Sequence, residues 1–179
     1  MNAARARDIS AVDSDNASFY GVLAGVGALG GTLADIWIRV GWGHWTFIDP
    51  DKLLPHNLPR HIGVDDHIGY PKTDILRHLA GSIYPHEPLP GAINKSILDD
   101  DHDIARAVNE AHLVVDVSTT FEVPRTLALK DDIPRTVSLF LTPSGKASVM
   151  LIEDTDRQCR IDAIEGQYYR AILSSEWGN

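Results

Sequence analysis

Near the start of the chain, Gly25, Gly27 and Gly30 stand at GxGxxG spacing in Gly25-Val26-Gly27-Ala28-Leu29-Gly30. Between a strand and a helix such a turn can hold a phosphate. The first glycine permits the tight turn, the second lets a phosphate approach backbone N–H groups, and the third lets helix and strand pack closely. Glycine turns of this kind also serve packing alone, so the residues that follow decide the chemistry. The next apolar run ends in Asp49-Pro50-Asp51. That puts Asp49 at the carboxyl end of a strand, where an acid can accept hydrogen bonds from both hydroxyls of a ribose. A loop then carries Asn57 and Arg60, and Lys72 follows in Ile68-Gly69-Tyr70-Pro71-Lys72. An amide and two cations at the rim of a phosphate site suit a triphosphate, whose extra charge must be neutralised where pyrophosphate develops as a leaving group. A dinucleotide pyrophosphate has no need of such a cluster.

The elements that would position these groups alternate between strand and helix. Phe19 to Ala24 reads as the strand feeding the turn, and Leu29, Leu33, Ile36, Trp37 and Val40 recur at helical spacing after it. Trp45 to Ile48 is the second strand, Thr73 to Tyr84 a helix, and Ala92 to Ile97 the third strand. A helix over Ile104 to Glu110 precedes the buried run Leu113 to Asp116, and a helix over Val123 to Lys130 precedes the strand Val137 to Leu141. Pro143-Ser144-Gly145-Lys146 predicts a hairpin turn into a sixth strand, Ala147 to Ile152, and Ile161 to Leu173 reads as a last helix. The alternation calls for a mostly parallel sheet covered on both faces.

In these residues the chain resembles the ThiF/MoeB family of adenylating enzymes, which includes the ubiquitin-activating enzymes. The resemblance runs from about Phe19 to about Ile152 and rests on the glycine turn, Ile48 through Asp51, Asn57 through Arg60, Gly69 through Lys72, and Val114-Val115-Asp116. It implies an α/β fold, a doubly wound Rossmann-like and mostly parallel sheet with helices on both faces and an antiparallel edge hairpin. It also implies that Asp49 holds the ribose and that Asn57, Arg60 and Lys72 grip the triphosphate, with Asp51 counted among the nucleotide-binding residues. The implied reaction is ATP-dependent adenylation: the C-terminal carboxylate of a small ubiquitin-like or sulfur-carrier protein attacks the α-phosphate and expels pyrophosphate. Mg2+ accompanies the ATP, and Asp116 is the candidate beside it. One departure matters, because the family's second acid three residues on is here Thr119, in Asp116-Val117-Ser118-Thr119. Two other readings stay open: an NAD-dependent oxidoreductase, supported by the glycines and Asp49, and a non-catalytic scaffold that kept the fold, supported by Thr119. The resemblance further implies a homodimer in which Arg5 or Arg7 reaches the partner's site.

Composition sets outer bounds. The 179 residues make one domain the default count. The expected divisions are a mobile N-terminal tail over 1–18, a nucleotide-binding domain over 19–152, and a linker with a C-terminal helix over 153–179. The chain ends soon after that helix, at Trp177-Gly178-Asn179, as a piece of a longer protein or a minimal member would. A formal net charge of −9 argues against a general nucleic-acid or anionic-membrane surface, and the N-terminal segment lacks the apolar core of a signal peptide, so the expected location is the cytoplasm. Cys159 is alone, which excludes an intramolecular disulfide and a CxxC zinc site, and within its charged run it reads as a plain thiol rather than a thioester acceptor. His56, His61 and His67 read as solvated loop histidines, with His61 a possible neighbour to a phosphate, and Trp37, Trp42 and Trp45 as packing of one corner.

Overall fold

Apolar runs without charges favour strands covered on both faces. Here they become the centre of a six-stranded sheet in the order β3-β2-β1-β4-β5-β6. The strands are Tyr20–Ala24 (β1), His44–Ile48 (β2), Gly91–Ile93 (β3), Leu113–Asp116 (β4), Thr136–Leu141 (β5) and Ser148–Ile152 (β6). The structure is a computed structural model that describes residues 1–175; the last residues of the segment expected over 153–179, from Glu176 to Asn179, lie outside the described residues. Pairings from β3 through β5 are parallel, and β6 turns back antiparallel to β5. The Gly145 N–H donates to Thr142 O in the hairpin between them. The expected doubly wound fold with an antiparallel edge is the fold observed.

The helices are Ala3–Ser10 (α1), Ala28–Val40 (α2), Lys72–Ile83 (α3), His102–Glu110 (α4), Glu122–Ala128 (α5) and Ile161–Ser174 (α6). Strand alternation divides the core into two faces. Val22 and Ala24 pack with Ile104, Val108, Val123 and Leu127 beneath α4 and α5, while Leu23 packs with Ala34, Phe47 and Leu76 beneath α2 and α3. Trp37 stacks on Trp45 with ring centroids 4.4 Å apart, and Trp42 closes on both, so the tryptophan corner is packing as expected. Because the helices after β1 and β4 lie on opposite faces, a crevice opens at the carboxyl ends of these neighbouring strands.

Two expectations are corrected. The segment 1–18 is not a mobile tail along its length: Asn2 caps α1 by accepting from the Arg5 N–H, Ala6 is buried, and the Arg7 guanidinium donates to Gly41 O. The third strand stops at Ile93 instead of Ile97, because Asn94 turns aside to take the Thr73 hydroxyl on its carbonyl and to donate to Asp74. No helix among the described residues is long and apolar enough to cross a membrane.

Candidate nucleotide cleft

The glycine turn is fixed by what surrounds it. Gly25 has φ +90°, and a side chain there would meet the Ser118 backbone at 2.8 Å; one at Gly30 would collide with Gly25 O. A Cβ at Gly27 would meet nothing within 4 Å, because that side of the turn faces a cleft of about 550 Å³. No side chain caps α2, so the N–H groups of its first turn face this space unpartnered within the helix and carry the positive end of its dipole.

Asp49, buried at the end of β2, closes the turn from the other side. Its carboxylate accepts the Val26 N–H at 2.7 Å and the Asp51 N–H at 2.8 Å, and it lines the cleft. Lys72 is the first residue of α3. Its ammonium lies 2.7 Å from the Asp51 carboxylate, and its N–H donates to Asp51 O. Arg60 lines the same cleft from the 3₁₀ segment Pro55–Arg60, with a long contact to His56 O at 3.4 Å and no acidic partner among the described residues. The structure therefore brings together Gly25, Gly27, Asp49, Asp51, Arg60 and Lys72 around one space. It does not bring Asn57 there: the Asn57 side chain accepts the Leu54 N–H at 3.0 Å and shapes the loop that carries Arg60. Gly30 acts behind the turn, by close packing.

Asp116 sits at the end of β4, buried, and accepts the Ser118 N–H at 3.0 Å, the Ser118 hydroxyl at 2.6 Å and the Ser138 hydroxyl at 3.2 Å. Burial pushes its carboxyl above the usual carboxylate range, against the pull of these hydrogen bonds. It faces a second cavity of about 920 Å³, whose wall at Thr119, Thr120 and Leu141 is shared with the cleft. Thr119 has φ +60° and turns its hydroxyl onto Ser118 O at 2.6 Å. No cluster of three or more His, Cys, Asp or Glu side chains suited to a metal occurs among the described residues.

Three residues that sequence reasoning missed complete the site. Ser118 and Ser138 hold Asp116; the legible signal was a polar residue within the apolar run of β5, which the register sets beside Asp116. His61 was read as solvated and is buried. Its Nδ1 accepts the Gly63 N–H at 2.9 Å, which leaves Nε2 as the donor to Val26 O at 3.0 Å and fixes a neutral ring under the glycine turn. Burial lowers its pKa below the ordinary value, and it serves the turn rather than a phosphate.

Comparison with known proteins bears on this geometry. The profile of the ThiF family matches residues 13–134, more than half of the chain. No curated protein matches the sequence. Among solved structures, PaaA is similar with TM-score 0.60 and 18% identity over 79% of this chain and 47% of its own. Escherichia coli MccB solved with ATP gives TM-score 0.58 and 19% identity over 76% of this chain and 40% of its own. The E. coli tRNA N6-threonylcarbamoyladenosine dehydratase TcdA gives TM-score 0.59 and 22% identity over 75% and 54%. These likenesses establish the fold, and the chain spans about half or less of each of these proteins.

Proposed function

The chain belongs to the ThiF family, and from that premise we propose that it takes part in ATP-dependent adenylation of a carboxylate. The observation that supports this most is the cleft in which open first-turn N–H groups above Gly27 face Arg60, a cation without an acidic partner among the described residues. In the proposed reaction a carboxylate oxygen bonds to the α-phosphorus and the bond from that phosphorus to the bridging oxygen of the β-phosphate breaks. The products are an acyl-adenylate and pyrophosphate. The chain's own work is positioning and charge stabilisation. Asp49 accepts from the ribose with lone pairs that Val26 and Asp51 leave open, the glycine turn cradles phosphate, and Arg60 neutralises the leaving pyrophosphate. Lys72 joins it by exchanging Asp51 for phosphate. Asn57 contributes by holding Arg60's loop. Asp116, in the cavity that shares the Thr119–Leu141 wall with the cleft, would be the acid of β4 offered to magnesium carried on the triphosphate, beside Asp49 and Asp51 of the cleft itself, and the metal would supply further neutralisation of phosphate charge.

The finer reading of the substrate is the C-terminus of a small ubiquitin-like or sulfur-carrier protein, a soluble partner, with the chain acting as a homodimer in the cytoplasm. Arg7 is not the residue that would reach across, because it is turned into its own subunit against Gly41; Arg5, exposed beside Asp8 at 3.8 Å, is the remaining candidate. Thr119 favours a second reading, a scaffold that kept the fold and lost the chemistry, since a hydroxyl committed to Ser118 O cannot replace a carboxylate beside a cation.

Calorimetric titration and pyrophosphate exchange test the main reading. ATP with magnesium is expected to bind more tightly than NAD or NADP, and exchange is expected with a suitable carrier. Tight NAD binding without a response to ATP would overturn it in favour of an oxidoreductase. ATP binding without exchange for any carrier would favour the scaffold.

A further inference from the structure

The cavity beside the nucleotide cleft is larger than the cleft itself, about 920 Å³ against about 550 Å³. Its walls come from β5, the β5–β6 hairpin, α5 and α6, and are largely apolar: Leu139, Phe140, Leu151, Ile161, Tyr168 and Ile172. The acidic group on its α6 side, Glu165, is held by Arg125 at 2.9 Å and is thereby neutralised toward an incoming anion. Lys146 stands at the hairpin rim. The wall common to the two spaces, Thr119, Thr120 and Leu141, is the place where a group in one can meet a group in the other. Adenylation requires such a meeting, between a carboxylate and the α-phosphate.

We propose that this cavity is an acyl pocket for carboxylates that carry a bulky apolar group, aromatic or branched, next to the carboxylate. The apolar group fills the space between β5 and α6, and the carboxylate reaches the Thr119–Leu141 wall. The proposal rests on the adenylation reading and narrows its substrate class: a slim glycine-terminated tail would leave the apolar walls in contact with water, at the cost of the hydrophobic contribution they can make. A free aryl-alkanoic acid and the terminal residue of a peptide share this chemistry.

The test is binding to the full chain saturated with α,β-methylene-ATP, which cannot be cleaved at the scissile bond. Two pairs of probes separate the sources: 3-phenylpropionate against acetate, and N-acetyl-Ala-Phe against N-acetyl-Gly-Gly. In at least one pair the apolar member is expected to bind at least about tenfold more tightly, and the pair that discriminates more strongly identifies the source. The double variant Ile172→Trp with Ala147→Trp narrows the cavity from α6 and from the hairpin, and is expected to lower that preference while leaving the affinity for the ATP analogue within about twofold. Equal binding in both pairs, no binding of any probe, or a preference that the double variant leaves unchanged would overturn the acyl pocket alone. Failure of the ATP analogue to bind would overturn the adenylation reading and this inference with it.

Discussion

Two buried cations in this protein have nearly the same local geometry and opposite surroundings. The Lys72 ammonium lies 2.7 Å from Asp51 and the Arg157 guanidinium 2.7 Å from Glu153, and each cationic side chain is 9% exposed. Asp51, however, is 66% exposed, whereas Glu153 is 0% exposed. Glu153 also accepts the N–H groups of Thr136 and Ile161, and Arg157 donates to the carbonyls of Leu127, Lys130 and Ile133. Every strong donor and acceptor of that pair is spent inside the protein, tying α5, β5, β6 and α6 together. Lys72 has one side-chain partner, and that partner reaches solvent. A short N···O distance is therefore silent about role. Saturation of the remaining hydrogen-bonding capacity separates a clasp from a cation held ready for exchange.

The sharpest way to break this contrast is to remove the acid of the saturated pair. Glu153→Ala leaves Arg157 buried without its counter-charge and two backbone N–H groups without an acceptor, and is expected to destabilise the fold by about 3–5 kcal/mol. Chemical denaturation measures it. A loss no larger than that of a surface acid would mean that the region is open to water and that the contrast fails.

At the cleft the effect should appear in binding. Lys72→Ala and Arg60→Ala are each expected to weaken ATP binding by about 1.5–3 kcal/mol, as for charged hydrogen bonds, and AMP binding far less. Asp49→Ala should weaken both ligands, and it also frees the Val26 and Asp51 N–H groups, so its thermal stability must fall as well. Titrations that found ATP indifferent to Lys72 and Arg60 would make Lys72–Asp51 a second clasp.

What was legible in the sequence follows the same division. The turn glycines, Asp49, Arg60 and Lys72 stand out by type and order within short spans of chain, and the fold brings Gly25, Gly27, Asp49, Arg60 and Lys72 around one cleft. The Glu153 clasp was not, because it lies in a charged run that reads as surface; only the fold shows that β5 and the start of α6 converge on it. Helix α1 was hidden by its size, with Ala6 alone buried among charged neighbours. Asn57 was read by its type as a phosphate ligand, and the loop uses it for its own backbone. His61 gave no local signal, since its partners, Val26 O and the Gly63 N–H, are backbone groups that composition never reveals.

His61 supplies a smaller test, because a neutral buried histidine supports the turn without charge. Its folded pKa is lowered by burial from the ordinary 6.5. The unfolded chain therefore binds the proton first, and the stability His61 gives is present above about pH 6.5 and lost as pH falls toward the lowered folded value. His61→Ala should cost about 1–3 kcal/mol at neutral pH, from the unpaired Val26 carbonyl and Gly63 N–H, and should remove that part of the acid sensitivity. Thermal unfolding of both proteins across this range decides it. Equal acid sensitivity in the two would mean that the ring is hydrated.

The smallest effect on stability is expected at Thr119, where the two kinds of surroundings meet. A β-branched residue at φ +60° is strained, and Asn and Asp tolerate that conformation better. Thr119→Asn is therefore expected to stabilise the fold by up to about 1 kcal/mol without adding charge. Thr119→Asp should gain less stability, since its carboxylate faces Asp116 across a cavity wall. In an active enzyme it should hold pyrophosphate exchange level or raise it, because it adds a second oxygen anion for the magnesium on the triphosphate. Asp116→Asn is the control. The amide can still accept from Ser118 and donate to Ser138, and it removes a carboxyl whose raised pKa makes its ionised form costly at neutral pH, so the fold should keep or gain stability while exchange is lost. A scaffold behaves differently: the parent shows no exchange with any carrier, and Thr119→Asp recovers a trace. Robust exchange in the parent that ignores Asp116→Asn would sink both versions, because phosphate charge would then be neutralised without the one acid that this end of β4 supplies.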